Sequence, residues 1–316
     1  MRFLLLLFIS YYYLNANAHI FVYHRFGDIK HASTNTTLKE LEKEFKYFKD
    51  NGYEVVKLSK IVERINSKKE VPDNWVALTI DDSYKSFYEN GLPIFKKYNY
   101  PFSLYVYVKA TQQRYGDFMS WKEIKEASKY GEIGLHSYSH PHLTKISLDK
   151  VKQDTKKSLE IFEKNLGFKP KSYAYPYGEY NQKVQDLIKS FNFDYILNQN
   201  TGTVTKNSNV YDINRIALVG KVNLEQKLKY KTLDAQWIEP KEYPKNGILK
   251  KVKAKINPSI KEIKLYVTGY GWQNIKVKNG IIDKKLDLQL KKSRTRVILS
   301  TDYFTIANKI IIQDKK

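Results

Sequence analysis

The sequence predicts an α/β protein, with a parallel sheet and helical crossovers filling the first two thirds of the chain and a smaller all-β unit after it. Three observations carry that expectation. Strand-like and helix-like stretches alternate from His19 to about residue 230, the pattern of βαβ units. Three polar clusters, containing Asp81-Asp82, His136 with His140, and Pro176-Tyr177-Gly178, each follow a strand-like stretch directly. Parallel sheets keep their chemistry at such strand ends. Beyond 230 the helical periodicity fades into short alternating runs punctuated by Pro240, Pro244 and Pro258. Those runs read as a β-sandwich of roughly eighty residues.

Taken in order, residues 19–23 form a first strand that ends at His24-Arg25. Thr37 and Glu40 make a capping box opening a helix with Leu38, Leu41, Phe45 and Phe48 on one face, and Asn51-Gly52 stops it. Residues 55–56 are a short strand and 60–66 a short helix, before the central strand at 76–80. Phe87 and Ile94 suggest a helix that Pro93 breaks. Residues 102–108 alternate as a strand, Ser120 caps a helix over 121–130, and 132–135 is a strand again. Ser147 caps a long helix with Leu148, Val151, Thr155, Leu159 and Phe162 inward, ending near Gly167 and Pro170. A strand at 172–175 follows, then a helix capped by Asn181, then late strands at 195–197 and 212–218. In the C-terminal part the alternating runs are 249–256, 263–267, 274–277, 281–290, 295–300 and 309–312. Tyr266, Tyr270 and Trp272 in that part are either sandwich core, the commoner case, or an exposed platform for sugar rings.

Asp81-Asp82-Ser83 alone reads first as turn chemistry, since Asx turns and helix caps use the same residues. His136 and His140 change the balance. Two imidazoles four residues apart suit a transition metal. With a strand-end carboxylate they form a set that leaves metal positions open for water and substrate, as catalytic sites do. The chain has no cysteine, so disulfides and thiolate ligands are excluded, and imidazole and carboxylate are the ligands left.

Thr79-Ile80-Asp81-Asp82-Ser83, His136-Ser137-Tyr138-Ser139-His140 and Ala174-Tyr175-Pro176-Tyr177-Gly178 resemble, in the same order, three motifs of the polysaccharide deacetylases (NodB homology, carbohydrate esterase family 4). Those motifs are T-F-D-D-G, H-[ST]-x-x-H and R-x-P-Y-G. Three in order over about a hundred residues are far more specific than any one. The resemblance implies a distorted (β/α)7 barrel and hydrolysis of N-acetyl groups on an N-acetylated glycan. It implies Asp82, His136 and His140 as ligands of a divalent metal, zinc foremost, with Asp81 as the base. It also implies that Pro176 and Tyr177 border the substrate, the Tyr177 backbone N–H forming part of an oxyanion hole. Tyr23-His24 is similar to the N-terminal Y-H of a branch with circularly rearranged motifs, which includes periplasmic poly-N-acetylglucosamine deacetylases, and there implies His24 as general acid. The alternative for His24 is a supporting or core histidine. No His follows His142, so the family's late L-x-H motif is absent. Ala174 departs from the motif Arg that orients the base; either Arg25 or Arg215 takes its place, or the base is poorly tuned. Trp121 either lines the groove or packs at its helix start. His31 and His142 read as surface or supporting residues, and the resemblance does not reach the C-terminal part.

Four functions remain in play: a deacetylase of exopolysaccharide or peptidoglycan, a non-catalytic glycan-binding protein on the same scaffold, a small-molecule amide hydrolase, and a two-carboxylate glycosidase. The last is disfavoured, since adjacent aspartates seldom flank one bond from opposite faces. A hydrophobic content of 42% excludes a disordered chain, and the net charge of +22 suits an anionic polymer, wall or membrane surface. The lysines are spread rather than blocked, and no nucleic-acid-binding motif is present. Met1-Arg2, an apolar run over 3–14 and Ala16-Asn17-Ala18 read as a secretory signal peptide, too short for a span of about 20 residues. The expected division is therefore a signal peptide at 1–18, a deacetylase-like barrel at 19–230 and a β-rich unit at 231–316. The mature chain would start at His19, periplasmic or secreted, without a transmembrane segment. An N-terminal His19 chelating copper is the lesser alternative.

Overall fold

The computed structural model describes residues 17–314; of the signal peptide expected at 1–18, residues 1–16 lie outside them. Seven parallel strands form the main sheet: β1 (His19–Tyr23), β2 (Trp75–Ile80), β3 (Ser103–Val106), β4 (Glu132–Leu135), β5 (Ser172–Ala174), β6 (Tyr195–Leu197) and β7 (Ile216–Ala217). Their spatial order is β7-β1-β2-β3-β4-β5-β6, and the two-residue strand Glu54–Val55 adds to β2. Asn198 N–H donates to Ile213 O, so the segment leading into β7 also touches β6. The sheet therefore curls almost shut. Both faces of β1 and β2 are covered, which is why these strands are apolar apart from His19 and Thr79.

Alternation along β2 sorts the core. Val76, Leu78 and Ile80 join the larger apolar cluster with the helices, while Trp75 and Ala77 face a second cluster with Ile20, Tyr105, Ala174 and Leu197. Continuing that second row by twos gives Thr79 and then Asp81, both fully buried. Strand period thus aims Asp81 into the curl.

The helices are α1 (Leu38–Asp50), α2 (Leu58–Asn66), α3 (Leu92–Tyr98), α4 (Val108–Gln112), α5 (Trp121–Ala127), α6 (Leu148–Leu166) and α7 (Gln182–Lys189). Thr37 and Ser120 close capping boxes, and Ser147 and Asn181 cap α6 and α7. Some expectations need correction. The helix expected around Phe87 and Ile94 is present, and it is distorted rather than cut at Pro93: Phe87–Gly91 form a wide π turn that runs directly into α3, whose first turn holds the proline. The strand expected over 102–108 ends at Val106 because Val108 starts α4, and the strand over 212–218 shrinks to two residues. Leu38 and Leu148 start their helices and are exposed rather than inward.

On α1 the buried position between Leu41 and Phe48 includes Glu44, whose Oε2 accepts from Tyr23 Oη at 2.8 Å. Burial pushes the Glu44 carboxyl up to about 8, against the Tyr23 hydrogen bond, which favours the charged form. The folded chain therefore holds a proton that the unfolded chain releases above its ordinary carboxylate range. Stability from this group is complete below about pH 4.5 and is lost as pH rises towards 8. Glu44→Gln removes that loss. Urea midpoints of variant and wild type should coincide near pH 4.5 and diverge in the variant's favour by on the order of a few kcal/mol at pH 8. Parallel pH profiles would show that Glu44 is ionised in the fold.

Past residue 230 two more sheets follow. One joins Gln236–Glu239, Ile248–Lys255 and Ile281–Gln289; the other joins Lys231–Thr232, Thr305–Ile312, Arg294–Ser300, Glu262–Val267 and Gly271–Lys276. Leu249 and Val252 from the first and Leu265 and Val297 from the second share one apolar core. Trp272 and Tyr270 stand outside it, 54% and 38% exposed. No described helix is long and apolar enough to cross a membrane.

Candidate metal and catalytic site

The ends of β2, β4 and β5 deliver three loops to one place. Asp82 Oδ1 lies 3.4 Å from His136 Nε2 and 3.1 Å from His140 Nε2, and the two imidazole nitrogens are 3.2 Å apart. A tetrahedral zinc with bonds of 2.0–2.1 Å has ligand–ligand edges of about 3.3 Å. The triangle fits that ion. Asp82 Oδ1 is also buried with no hydrogen-bond donor of its own, as a ligand oxygen would be. His136 Nδ1 bonds Ala174 O at 2.7 Å, which fixes the tautomer and turns Nε2 to the other ligands. Burial opposes charge on both partners, yet the imidazoles hold Asp82 well below the carboxylate range, and Asp81 and Asp82 hold His136 above its own. The field that favours a proton there also favours a divalent cation.

Beside the triangle, Asp81 is gripped by Arg215. Nη1 donates to Oδ1 at 2.7 Å and Nη2 to Oδ2 at 2.8 Å, both residues being fully buried. Arg215 is itself held by Asn198 O and Thr79 Oγ1, and Gln199 Nε2 reaches Asp81 Oδ2 at 3.3 Å. Burial raises the Asp81 carboxyl, but the guanidinium outweighs it and keeps the group below the usual range. The cation that the motif would supply from position 174 thus comes from 215. Arg25 is engaged elsewhere, bonded to Asp28 and Asp117 and stacked on Tyr84 at 3.6 Å. His24, at the end of β1, is half-buried with its Nδ1 enclosed and unpartnered, within the fields of Asp82, Asp81 and His136. Burial lowers its affinity for a proton and the two carboxylates work against that.

Backbone strain concentrates in this place. Asp82, Ser83, Ser137, His140 and Tyr177 all have positive φ, from 52° to 71°, a region that costs a non-glycine residue of order 1 kcal/mol or more. Each strained loop has a brace, which in the first is Met119 N–H donating to Ser83 O at 2.9 Å. Asp154 on α6 accepts from Tyr138 N–H at 2.8 Å and Ser139 N–H at 2.9 Å, and His140 N–H bonds Ser137 Oγ at 2.9 Å. In the Pro176–Gly178 turn, Gly178 N–H bonds Tyr175 O and Glu179 N–H bonds Pro176 O. The Tyr177 ring packs 4.6 Å from His140 and stacks on His142 at 4.0 Å.

Trp121 bonds Gln112 Oε1 through Nε1 and packs edge-on against Phe162, the helix-start role. His31 is exposed and paired with Asp28. His19 is buried against Phe21, its imidazole held down to about 4 by burial. Ala18 exchanges both backbone hydrogen bonds with Val204, and Asn17 Oδ1 accepts from Thr203 and Thr232. Cleavage after Ala18 would remove contacts that the fold uses. Sequence reading missed Asp154, Gln199 and Asn198. Asp154 had a signal: it falls three residues after Val151 on the inward face of α6.

Comparison with known proteins bears on the same residues. The family model described as polysaccharide deacetylase matches residues 68–196. A poly-β-1,6-N-acetyl-D-glucosamine N-deacetylase of Staphylococcus aureus is 28% identical over 215 residues, covering 64% of this chain and 73% of that protein. In fold, the chain is similar to the Streptococcus pyogenes deacetylase PplD solved with acetate, with TM-score 0.62, 23% identity, and 67% of this chain and 98% of that one covered. It is likewise similar to IcaB from Ammonifex degensii, with TM-score 0.58, 20% identity, and 67% and 94% covered. The region of chain that carries the Asp82, His136 and His140 triangle is therefore a polysaccharide deacetylase domain of the NodB type.

Proposed function

We propose that this protein is an exported, metal-dependent N-deacetylase acting on a poly-N-acetylglucosamine-like glycan. The observation that carries this reading is the ligand triangle of Asp82, His136 and His140 beside a second carboxylate, Asp81, locked by Arg215. The substrate class comes from the Staphylococcus aureus relative's activity; peptidoglycan is the polymer to compare with it. When bound, a divalent ion such as zinc supplies Lewis acidity, lowering the pKa of water and polarising an amide carbonyl.

This chain's residues do the rest. Asp81 takes the proton from the attacking water, and Arg215 keeps both its oxygens in one plane and ionised beforehand. The Tyr177 N–H donates to the oxygen that gains charge as the carbonyl carbon becomes tetrahedral. His24 returns a proton to the nitrogen as the C–N bond breaks, releasing acetate and a free glucosamine amine. Tyr107 and Tyr177, whose rings flank His140 at 5.3 and 4.6 Å, border the sugar.

Export to the periplasm or beyond rests on the leader pattern at 1–18, a basic start, an apolar run and Ala16-Asn17-Ala18. The boundary near 230 rests on the change of apolar cluster, Tyr230 packing with the barrel and Leu233 with the C-terminal sheets. The shared core of those two sheets favours a sandwich.

Acetate release from β-1,6-linked N-acetylglucosamine polymer, peptidoglycan and free N-acetylglucosamine, with metal-stripped and zinc-reloaded protein, tests the reading. We expect the polymer to be the best substrate, stripping to lower the rate at least about 100-fold, and zinc to restore it. A folded chain holding zinc that released acetate from none of the three would overturn it.

A further inference from the structure

We propose that Arg294, on a strand of the C-terminal β unit, is a positioning residue that sets the oxyanion loop of the barrel; this rests on the deacetylase reading. The loop needs outside help. Tyr177 takes φ 59° and ψ 5°, a left-handed conformation that a non-glycine residue keeps only where its surroundings over-determine it. The family match over residues 68–196 includes that turn and stops well short of Arg294.

Arg294 supplies the help directly. Its Nη1 donates to Tyr177 O at 2.7 Å and lies 3.1 Å from Glu179 Oε1. Glu179 is buried, and its other oxygen, Oε2, is 2.7 Å from His142 Nδ1. The His142 ring in turn lies flat on the Tyr177 ring, 4.0 Å away and inclined 8°. The turn is therefore clasped through its backbone carbonyl by Arg294 and through its side chain by His142, with one buried carboxylate joining the two. A second bond, Asn181 Nδ2 to Asp314 Oδ1 at 2.8 Å, seats the loop on the same end of the C-terminal sheet, where Gln313 N–H pairs with Ser293 O. An ordinary domain contact would satisfy side chains. This one fixes the carbonyl of the residue assigned the oxyanion N–H, and with it the 177–178 peptide plane and ψ of Tyr177, which holds the turn in its left-handed form. The C-terminal unit thus completes the barrel's site as well as adjoining it.

The test compares Arg294→Ala and Arg294→Lys with wild type on the N-acetylglucosamine polymer. Bound metal and amide exchange of the 175–180 peptide are measured in parallel. For the alanine variant we expect kcat to fall about tenfold, or about 1.4 kcal/mol, with KM within about twofold and metal content unchanged. Exchange at 175–180 should rise, and lysine, which keeps a single donor to Tyr177 O, should recover part of kcat. Unchanged kcat and exchange, or a rise in KM alone, overturns the proposal, the latter by making Arg294 a glycan contact. Should alanine unfold the chain, lysine decides by the same readouts. If wild type releases no acetate, the deacetylase reading has failed, and exchange alone reports whether Arg294 orders the turn.

Discussion

Asp81→Asn should retain its metal and lose about a thousandfold in acetate release, within the usual range for removing a positioned general base. The two halves of that outcome come from different atoms. The ligand triangle uses Asp82 Oδ1 and two imidazole nitrogens, and none of these is touched by the substitution. Asp81 contributes both its oxygens to Arg215 and one to Gln199, so its carboxylate stands beside the triangle without belonging to it. Asparagine keeps one oxygen to accept from Arg215 but cannot take a proton from water. The buried guanidinium then loses its charge partner, a change that costs about 3–5 kcal/mol where no acceptor remains and less with the amide oxygen in place. Metal content by elemental analysis, melting temperature and acetate release should therefore separate cleanly. Loss of metal together with activity would make Asp81 a ligand instead.

The residues that the fold brings together at this place were legible because each is local to a motif. Asp81, Asp82, His136, His140 and Tyr177 sit within a few positions of a strand end, and strand period plus loop placement is enough to bring them together. The alternation of elements was legible for the same reason: capping by Thr37, Ser120, Ser147 and Asn181 is written into adjacent residues. What could not be read is long-range. Arg215, 134 positions from Asp81, could be named only alongside Arg25, because the two-residue strand after it has no periodicity to choose between them. Glu44 sits between apolar neighbours on α1 and looks like surface charge until Tyr23, 21 positions earlier, is placed against it. Arg294 reaches its partner across 117 positions and from another sheet system. Side chains that brace a site from afar leave no pattern in their own neighbourhood.

Arg215→Met should be the most damaging change outside the ligands and the base, because it alters both the fold and the base. Methionine fills much of the space but leaves the Asp81 carboxylate uncompensated among Thr79, Tyr105 and Asn198, for a loss of about 3–5 kcal/mol in stability. With the guanidinium gone, burial, the first influence on Asp81, is opposed only by the neighbouring imidazoles, so its pKa moves upward. A base that holds its proton more tightly is ionised less often when water is in place. Acetate release near pH 7 should drop about 10²-fold, and the acidic limb of the pH–rate profile should move to higher pH, so the deficit narrows as pH is raised. Arg215→Lys should lie between, retaining a charge but losing the two-pronged geometry at Oδ1 and Oδ2. The sharpest check is relocation. Ala174 is fully buried in the same cluster that lines the curl, and the motif carries its arginine at that position. Ala174→Arg combined with Arg215→Ala should recover activity over Arg215→Ala alone, since what Asp81 requires is a buried guanidinium within reach, whichever strand supplies it. An Arg215→Met enzyme with wild-type rate and an unmoved acidic limb would mean that Asp81 is tuned by something other than this pair.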